Sequence, residues 1–148
     1  ATGINGKMNE MQAALGLLQL QHINDALVRR AAIAARYREA IDAIPGLSTV
    51  PDAGQQVANH AYFPILVGDE YPLSRDTLYD KLKANGINGR RYFHPLITDF
   101  PMYRGLPSAQ TSDLPLAADA AERVICLPIY AELNKADQDR VIFCLQAR

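Results

Sequence analysis

From Met8 to Ile44 the chain carries no proline and a single glycine, Gly16, and its apolar residues return in steps of three, four and seven. Met8, Met11, Leu15 and Leu18 form one stripe; Leu20, Ile23, Leu27, Ala34, Tyr37, Ile41 and Ile44 form another. Such spacing follows the period of an α-helix. Alanine, leucine, glutamine and arginine, all good helix formers, fill the positions between. Pro45-Gly46 ends the run. Unbroken, this helix would be about 55 Å long, more than the width of a globule of this size. Either it breaks near Gln21 to Asn24, with Asn24 capping a second helix, or part of it packs on another domain or subunit. Met11 to Leu20 is apolar on more than one face, which favours the second arrangement.

Beyond a polar loop, Tyr62 to Val67 has the aromatic and branched residues of a strand. Pro64 lacks a backbone donor, so this strand is expected at a sheet edge or with a bulge. Ser74 is placed to cap a helix reaching about Asn85, with Leu78 and Leu82 as its apolar stripe and Gly86 as its stop. Ile87 to Phe93 reads as a second strand. A proline-punctuated stretch follows, with Pro95, Pro101, Pro107 and Pro115. Irregular segments of that length inside a compact domain are usually functional or interfacial. A short helix from about Pro115 to Arg123 leads into a third strand, Val124 to Leu127. Asn134 caps a closing helix from Lys135 to about Ala147. The alternation implies a small α+β layer, one sheet face covered by helices and the other left bare. That bare face, and a first helix too long for the body, point to a missing neighbour.

Composition narrows the class. With 148 residues, 49% of them hydrophobic, the chain is long enough for one domain and too apolar for disorder. Fifteen lysines and arginines against sixteen acidic residues leave a net charge of -1, without the basic excess that nucleic acid demands. No apolar run approaches the roughly 20 residues of a membrane span, and the start lacks a signal-peptide pattern. Cys126 and Cys144 sit in apolar contexts, outside any CxxC pair, and read as packed thiols of a cytoplasmic protein. The chain begins at Ala1-Thr2-Gly3 and runs almost directly into its helix, as a piece of something longer would.

The three histidines, His22, His60 and His94, are too scattered for a metal site, and no GxSxG, GxGxxG, P-loop or HExxH motif occurs. Two segments remain. In Arg90-Arg91-Tyr92-Phe93-His94-Pro95, adjacent arginines at a strand end offer donor forks to a phosphate or carboxylate. The plainer alternative is a solvated strand end with one arginine paired to Asp99 or Asp80. In Gly3-Ile4-Asn5-Gly6-Lys7-Met8-Asn9-Glu10, a glycine-flexed turn sets Asn5 and Lys7 just ahead of a helix N-terminus, where an anion is favoured. Alternatively, Asn5 or Asn9 merely caps the helix. Neither segment contains an acid–base pair able to perform a reaction by itself.

Together these segments carry a resemblance. Gly3-x-Asn5-Gly6-Lys7-Met8-Asn9-Glu10-x-Gln12-Ala13-Ala14-x-Gly16-Leu17-x-Gln19-Leu20 resembles the GxNxRM-x-E-x-QAA-x-G-x-x-QL signature of the DegT/DnrJ/StrS sugar aminotransferases. The likeness continues through Arg29-Arg30, Pro45-Gly46-Leu47, Tyr62-Phe63-Pro64-Ile65, Arg90-Arg91-Tyr92-Phe93-His94-Pro95-Leu96, Phe100-Pro101-Met102-Tyr103, Leu114-Pro115 and Leu127-Pro128-Ile129-Tyr130. Its RRYF-x-PL and FPMYRGLPSA stretches are most similar to the branch that aminates dTDP-4-keto-6-deoxyglucose for surface polysaccharides such as lipopolysaccharide.

The resemblance implies the α/β (α+β) small C-terminal domain of the pyridoxal-phosphate-dependent aspartate-aminotransferase fold: a long N-terminal helix and a small, mainly antiparallel sheet with covering helices. Residues 1–44 would form an interdomain and dimer-interface helix and 45–148 the small domain, with the N-terminal pyridoxal-phosphate domain absent. By the same resemblance Asn5 reaches the cofactor phosphate of a homodimer partner, Lys7, Arg91 and Tyr92 bind the nucleotide-linked keto sugar, and His94 adjoins them. Glutamate would be the amino donor in the parent enzyme. Lys7 stands where the family has arginine, which keeps the charge and loses the bidentate fork. The four lysines, Lys7, Lys81, Lys83 and Lys135, all lie outside the family's Schiff-base context, so no catalytic residue is expected in this chain and it should be inactive alone. A non-enzymatic sugar-nucleotide-binding module, or a dimerisation module, is the alternative.

Overall fold

A computed structural model describes residues 6–51 and 58–146. Helix α1 (Glu10–Asp42) runs without interruption through Gln21 to Asn24, so the possible break does not occur. Asn9 caps it reciprocally: its side chain accepts from Gln12 N at 2.9 Å, and the Gln12 side chain accepts from Asn9 N at 3.1 Å. This box satisfies two of the donors a helix start leaves open. At about 50 Å, α1 overshoots the body it serves. Only its second half is packed, through Ile33, Ala34, Tyr37 and Ile41, while Met8, Met11, Leu15, Leu17, Leu18 and Leu20 stay exposed, Met11 to 80%.

Three strands form one antiparallel sheet in the order β1 (Leu47–Thr49), β2 (Phe63–Val67), β3 (Val124–Leu127). Pro64 therefore lies in the central strand, without a bulge, against the expectation of an edge. The ladder explains how. Cys126, opposite Pro64, exchanges both of its backbone hydrogen bonds with Arg90, so Pro64 and Cys126 form a non-hydrogen-bonded pair. The ring nitrogen of Pro64 thus faces the β1 side, where pairing ends one residue earlier at Thr49 and Ile65. The missing donor has no partner to disappoint.

Helices α2 (Arg75–Ala84), α3 (Pro115–Arg123) and α4 (Lys135–Leu145) complete the fold, with short 3-10 turns in the proline-rich stretch between α2 and α3. Phe63, Ile65, Val67, Ile125 and Leu127 share one core with Tyr37, Ile41, Leu78, Leu82, Val141 and Leu145. The opposite sheet face is not bare: Val124 and Cys126 are buried, and the Cys126 thiol lies 3.9 Å from the Tyr92 carbonyl. At Cys126 the covering atoms include the backbone of Tyr92.

Two buried tyrosines close the core. Tyr37 packs its ring 5.2 Å from Phe63 and donates to the Pro128 carbonyl at 3.2 Å; Tyr71 donates to the Leu145 carbonyl at 2.6 Å. Burial raises the pKa of both phenols, most strongly at Tyr37. A group whose folded pKa lies above its unfolded value stabilises fully below the unfolded pKa and loses that contribution as pH rises. Urea midpoints should therefore fall above about pH 10, and Tyr37→Phe with Tyr71→Phe should flatten that fall. The double variant should also be less stable at pH 7, by about 1 kcal/mol per lost hydrogen bond. The exposed half of α1 generates a second expectation: the chain should self-associate in sedimentation, and Leu15→Glu with Leu18→Glu should shift it toward monomer.

Candidate functional site

The end of α2 aims the chain at the site. Gly86 adopts φ +73°, and the hydrogen bonds Gly86 N to Lys83 O (3.0 Å) and Ile87 N to Leu82 O (2.9 Å) form a left-handed helix stop. Ile87 is thereby turned into the core beside Leu82. Gly89 then passes so close to β3 that a Cβ would lie 3.3 Å from Ile125 Cγ2. Its amide turns back on the Ile87 carbonyl at 3.1 Å, so the segment Ile87 to Phe93 does not form the expected strand. Its backbone pairs with the sheet at one isolated bridge, Arg90–Cys126.

That single bridge sends the two arginines to different surroundings. Arg91 Nη1 donates to Asp76 Oδ1 at 2.9 Å, and its guanidinium lies 4.8 Å over the Tyr79 ring. The carboxylate partner is thus Asp76, in the first turn of α2, rather than Asp80 or Asp99. The hydrogen bond from Arg91, reinforced by Arg75, holds the Asp76 carboxyl below the usual carboxylate range. Arg75 is buried, with Nη1 donating to the Ala121 carbonyl at 3.1 Å; its Nε lies 2.7 Å from Asp76 Oδ1 but out of line for a hydrogen bond.

Arg90 donates instead to the Tyr92 hydroxyl at 2.7 Å. The Tyr92 ring stacks on Phe93 at 5.2 Å and meets Tyr62 edge-on at 5.5 Å. Tyr62, Asn88, Arg90, Tyr92, Cys126 and Tyr130 line an open groove of about 400 Å³. Burial pushes the Cys126 thiol up from its ordinary pKa.

Of the residues expected to bind ligands, Arg91, Tyr92 and His94 fall on this one segment, His94 exposed and its amide bonded to the Arg91 carbonyl at 2.9 Å. Lys7 is exposed, two residues ahead of the Asn9 cap and thus beyond the end of α1 that leaves the body, so it does not join them. Asn5 lies outside the described residues. Tyr62, Asn88 and Tyr130 escaped the sequence reading, although Tyr62 stands at the start of a recognised strand and Tyr130 closes the Leu127-Pro128-Ile129-Tyr130 run. Among the described residues, no group of histidine, cysteine and acidic side chains is arranged to hold a metal ion. No described helix is long and apolar enough to cross a membrane.

The burial of both thiols makes a simple expectation: Ellman's reagent at pH 8 should leave Cys126 and Cys144 essentially unreacted in the folded chain and titrate both in denaturant. Tyr92→Ala, which removes the ring above the groove, should speed the reaction at Cys126 and leave Cys144 unchanged.

Known proteins place this arrangement. The chain is 47% identical over 135 residues to the dTDP-4-amino-4,6-dideoxy-D-glucose transaminase of Escherichia coli, covering 91% of this chain and 36% of that protein. It is 31% identical over 145 residues to the GDP-perosamine synthase of Caulobacter vibrioides, covering 97% of this chain and 38% of that one. Among solved structures, DesI in the presence of its TDP-sugar product superposes with a TM-score of 0.86 at 32% identity, over 97% of this chain and 36% of DesI. DesV of S. venezuelae, in complex with a ketimine intermediate, gives 0.84 at 28% identity, over 99% and 38%. The chain thus spans about a third of the length of the relatives it matches. The sequence profile of the DegT/DnrJ/EryC1/StrS aminotransferases matches residues 1–146, and the chain belongs to that family.

Proposed function

We propose that this chain is the substrate-binding and docking portion of a nucleotide-sugar aminotransferase acting in surface polysaccharide biosynthesis in the cytoplasm. The parent enzyme would pass an amino group from glutamate to a nucleotide-linked keto-deoxy sugar. The observation that carries this reading is the 47% identity, over nearly the whole chain, to a dTDP-4-amino-4,6-dideoxy-D-glucose transaminase. The segment of Arg90, Arg91 and Tyr92 supplies what a sugar nucleotide requires: a guanidinium fork for phosphate and an aromatic wall for a ring. His94 borders that surface. Lys7, just ahead of α1, is assigned to the sugar nucleotide held across a dimer, and Asn5 to the cofactor phosphate of the partner subunit.

Pyridoxal phosphate, when bound by such enzymes, supplies the electron sink for amino transfer. The described residues do not form a complete site for it. Lys7, Lys83 and Lys135 are exposed, and Lys81 lies half-buried at a cleft between α2 and α4 beside Arg140 and Cys144. The tyrosine groove contains no lysine. What this chain's residues can do is bind and orient, while the exposed stripe of α1 docks against the N-terminal cofactor-binding portion and across a homodimer. Apolar surface of that extent is normally covered.

The test is reconstitution. The chain, mixed with the separately produced remainder of the Escherichia coli relative, pyridoxal phosphate, glutamate and a dTDP-linked 4-keto-6-deoxy sugar, should restore amino transfer. Alone, it should show none, and treatment with pyridoxal phosphate and borohydride should leave its intact mass without a stoichiometric adduct. Stoichiometric labelling of one lysine, or turnover by the chain alone, would overturn the reading.

A further inference from the structure

Arg90 and Arg91 are neighbours in the chain with opposite surroundings. Arg91 is satisfied by a carboxylate, Asp76, and covered by the Tyr79 ring; Asp76 is in turn braced by Arg75, itself fixed to the end of α3 through the Ala121 carbonyl. Arg90 has no carboxylate partner among the described residues. Among the described residues its guanidinium donates to the neutral Tyr92 hydroxyl alone and lies 5.4 Å over the Tyr92 ring, which leaves most of its donors for a ligand. It also forms part of the groove wall, with Tyr62, Tyr92 and Tyr130 around it, whereas Arg91 does not line the groove.

A diphosphate joined to a ring satisfies both features of that groove. Two phosphate oxygens fit the fork of a guanidinium, and a planar or chair-shaped ring packs on tyrosine faces. We infer that Arg90 reads the anion of the ligand, and that Arg91 is a positioning residue, latched to Asp76, that holds the 90–94 segment so that Arg90 and Tyr92 form the groove wall. The inference rests on the sugar-nucleotide reading above and specifies which side chains make that subsite.

Calorimetric titration of the 148-residue chain with dTDP, and separately with inorganic pyrophosphate, tests it. Arg90→Gln should weaken both ligands by about tenfold or more, the loss expected for a charge-assisted fork. Arg91→Gln and Asp76→Asn should each weaken binding by about threefold, and the double variant should be no worse than either single one, because both break the same latch. A larger loss for Arg91→Gln than for Arg90→Gln, with Asp76→Asn unchanged, would make Arg91 the direct contact and overturn the assignment.

Hydrogen exchange provides a readout without ligand. Amides of residues 92–94 should exchange faster in Asp76→Asn and in Arg91→Gln, and at the wild-type rate in Arg90→Gln. Equal exchange in all three overturns the latch. Failure of the wild-type chain to bind either probe at millimolar concentration overturns the role of Arg90 and leaves amino transfer to the reconstitution experiment. Binding here without turnover there has the reverse meaning.

Discussion

The hydroxyl of Tyr37 is the point through which the domain is tied together. Its ring lies fully buried in the packed half of α1, against Phe63 of the central strand, and its oxygen reaches the carbonyl of Pro128 just beyond β3. One side chain thus fixes the helix to the sheet and to the loop that forms one side of the tyrosine groove. Gln138 repeats the device from α4, donating to the Ile33 carbonyl at 2.7 Å while accepting from Arg36 at 3.1 Å. A buried polar group is tolerated only when paired, and here each pairing also selects one arrangement of the helices.

Most elements were legible because their signals are local. Ser74 and Asn134 cap the helices they precede, and the extent of Val124–Leu127 follows from four consecutive apolar residues bounded by Arg123 and Pro128. β1 was missed because three residues, Leu47–Thr49, are too few to show alternation. Ile87 to Phe93 misled for a different reason. Its composition suits a strand, yet Ile87 is committed to the core and Gly89 turns the backbone against Ile125, so only Arg90 reaches a partner. Pro64 shows that a donor-less residue is barred from a hydrogen-bonded site, which is narrower than being barred from a central strand.

The site was legible as a segment and illegible residue by residue. Arg90 and Arg91 differ only by one position, and the choice between them is made by Asp76, which sequence could not distinguish from Asp80 one turn later. Spacing along a helix gives a face but not the neighbour that face meets. The aromatic members of the groove come from three separate parts of the chain, Tyr62, Tyr92 and Tyr130, and meet because β2 pairs with β3 and Arg90 bridges to Cys126.

The bridge between Arg90 and Cys126 has one more effect. A three-stranded sheet exposes two outer strands, and β3, with its buried, branched and sulfur-bearing residues, is the kind of edge that invites a foreign strand to add. The segment bearing Arg90 occupies that edge at its midpoint, without extending the sheet far enough to offer a new one. The same few residues that line the groove therefore also guard the protein against assembly through its sheet, so a substitution that loosens them endangers solubility together with recognition.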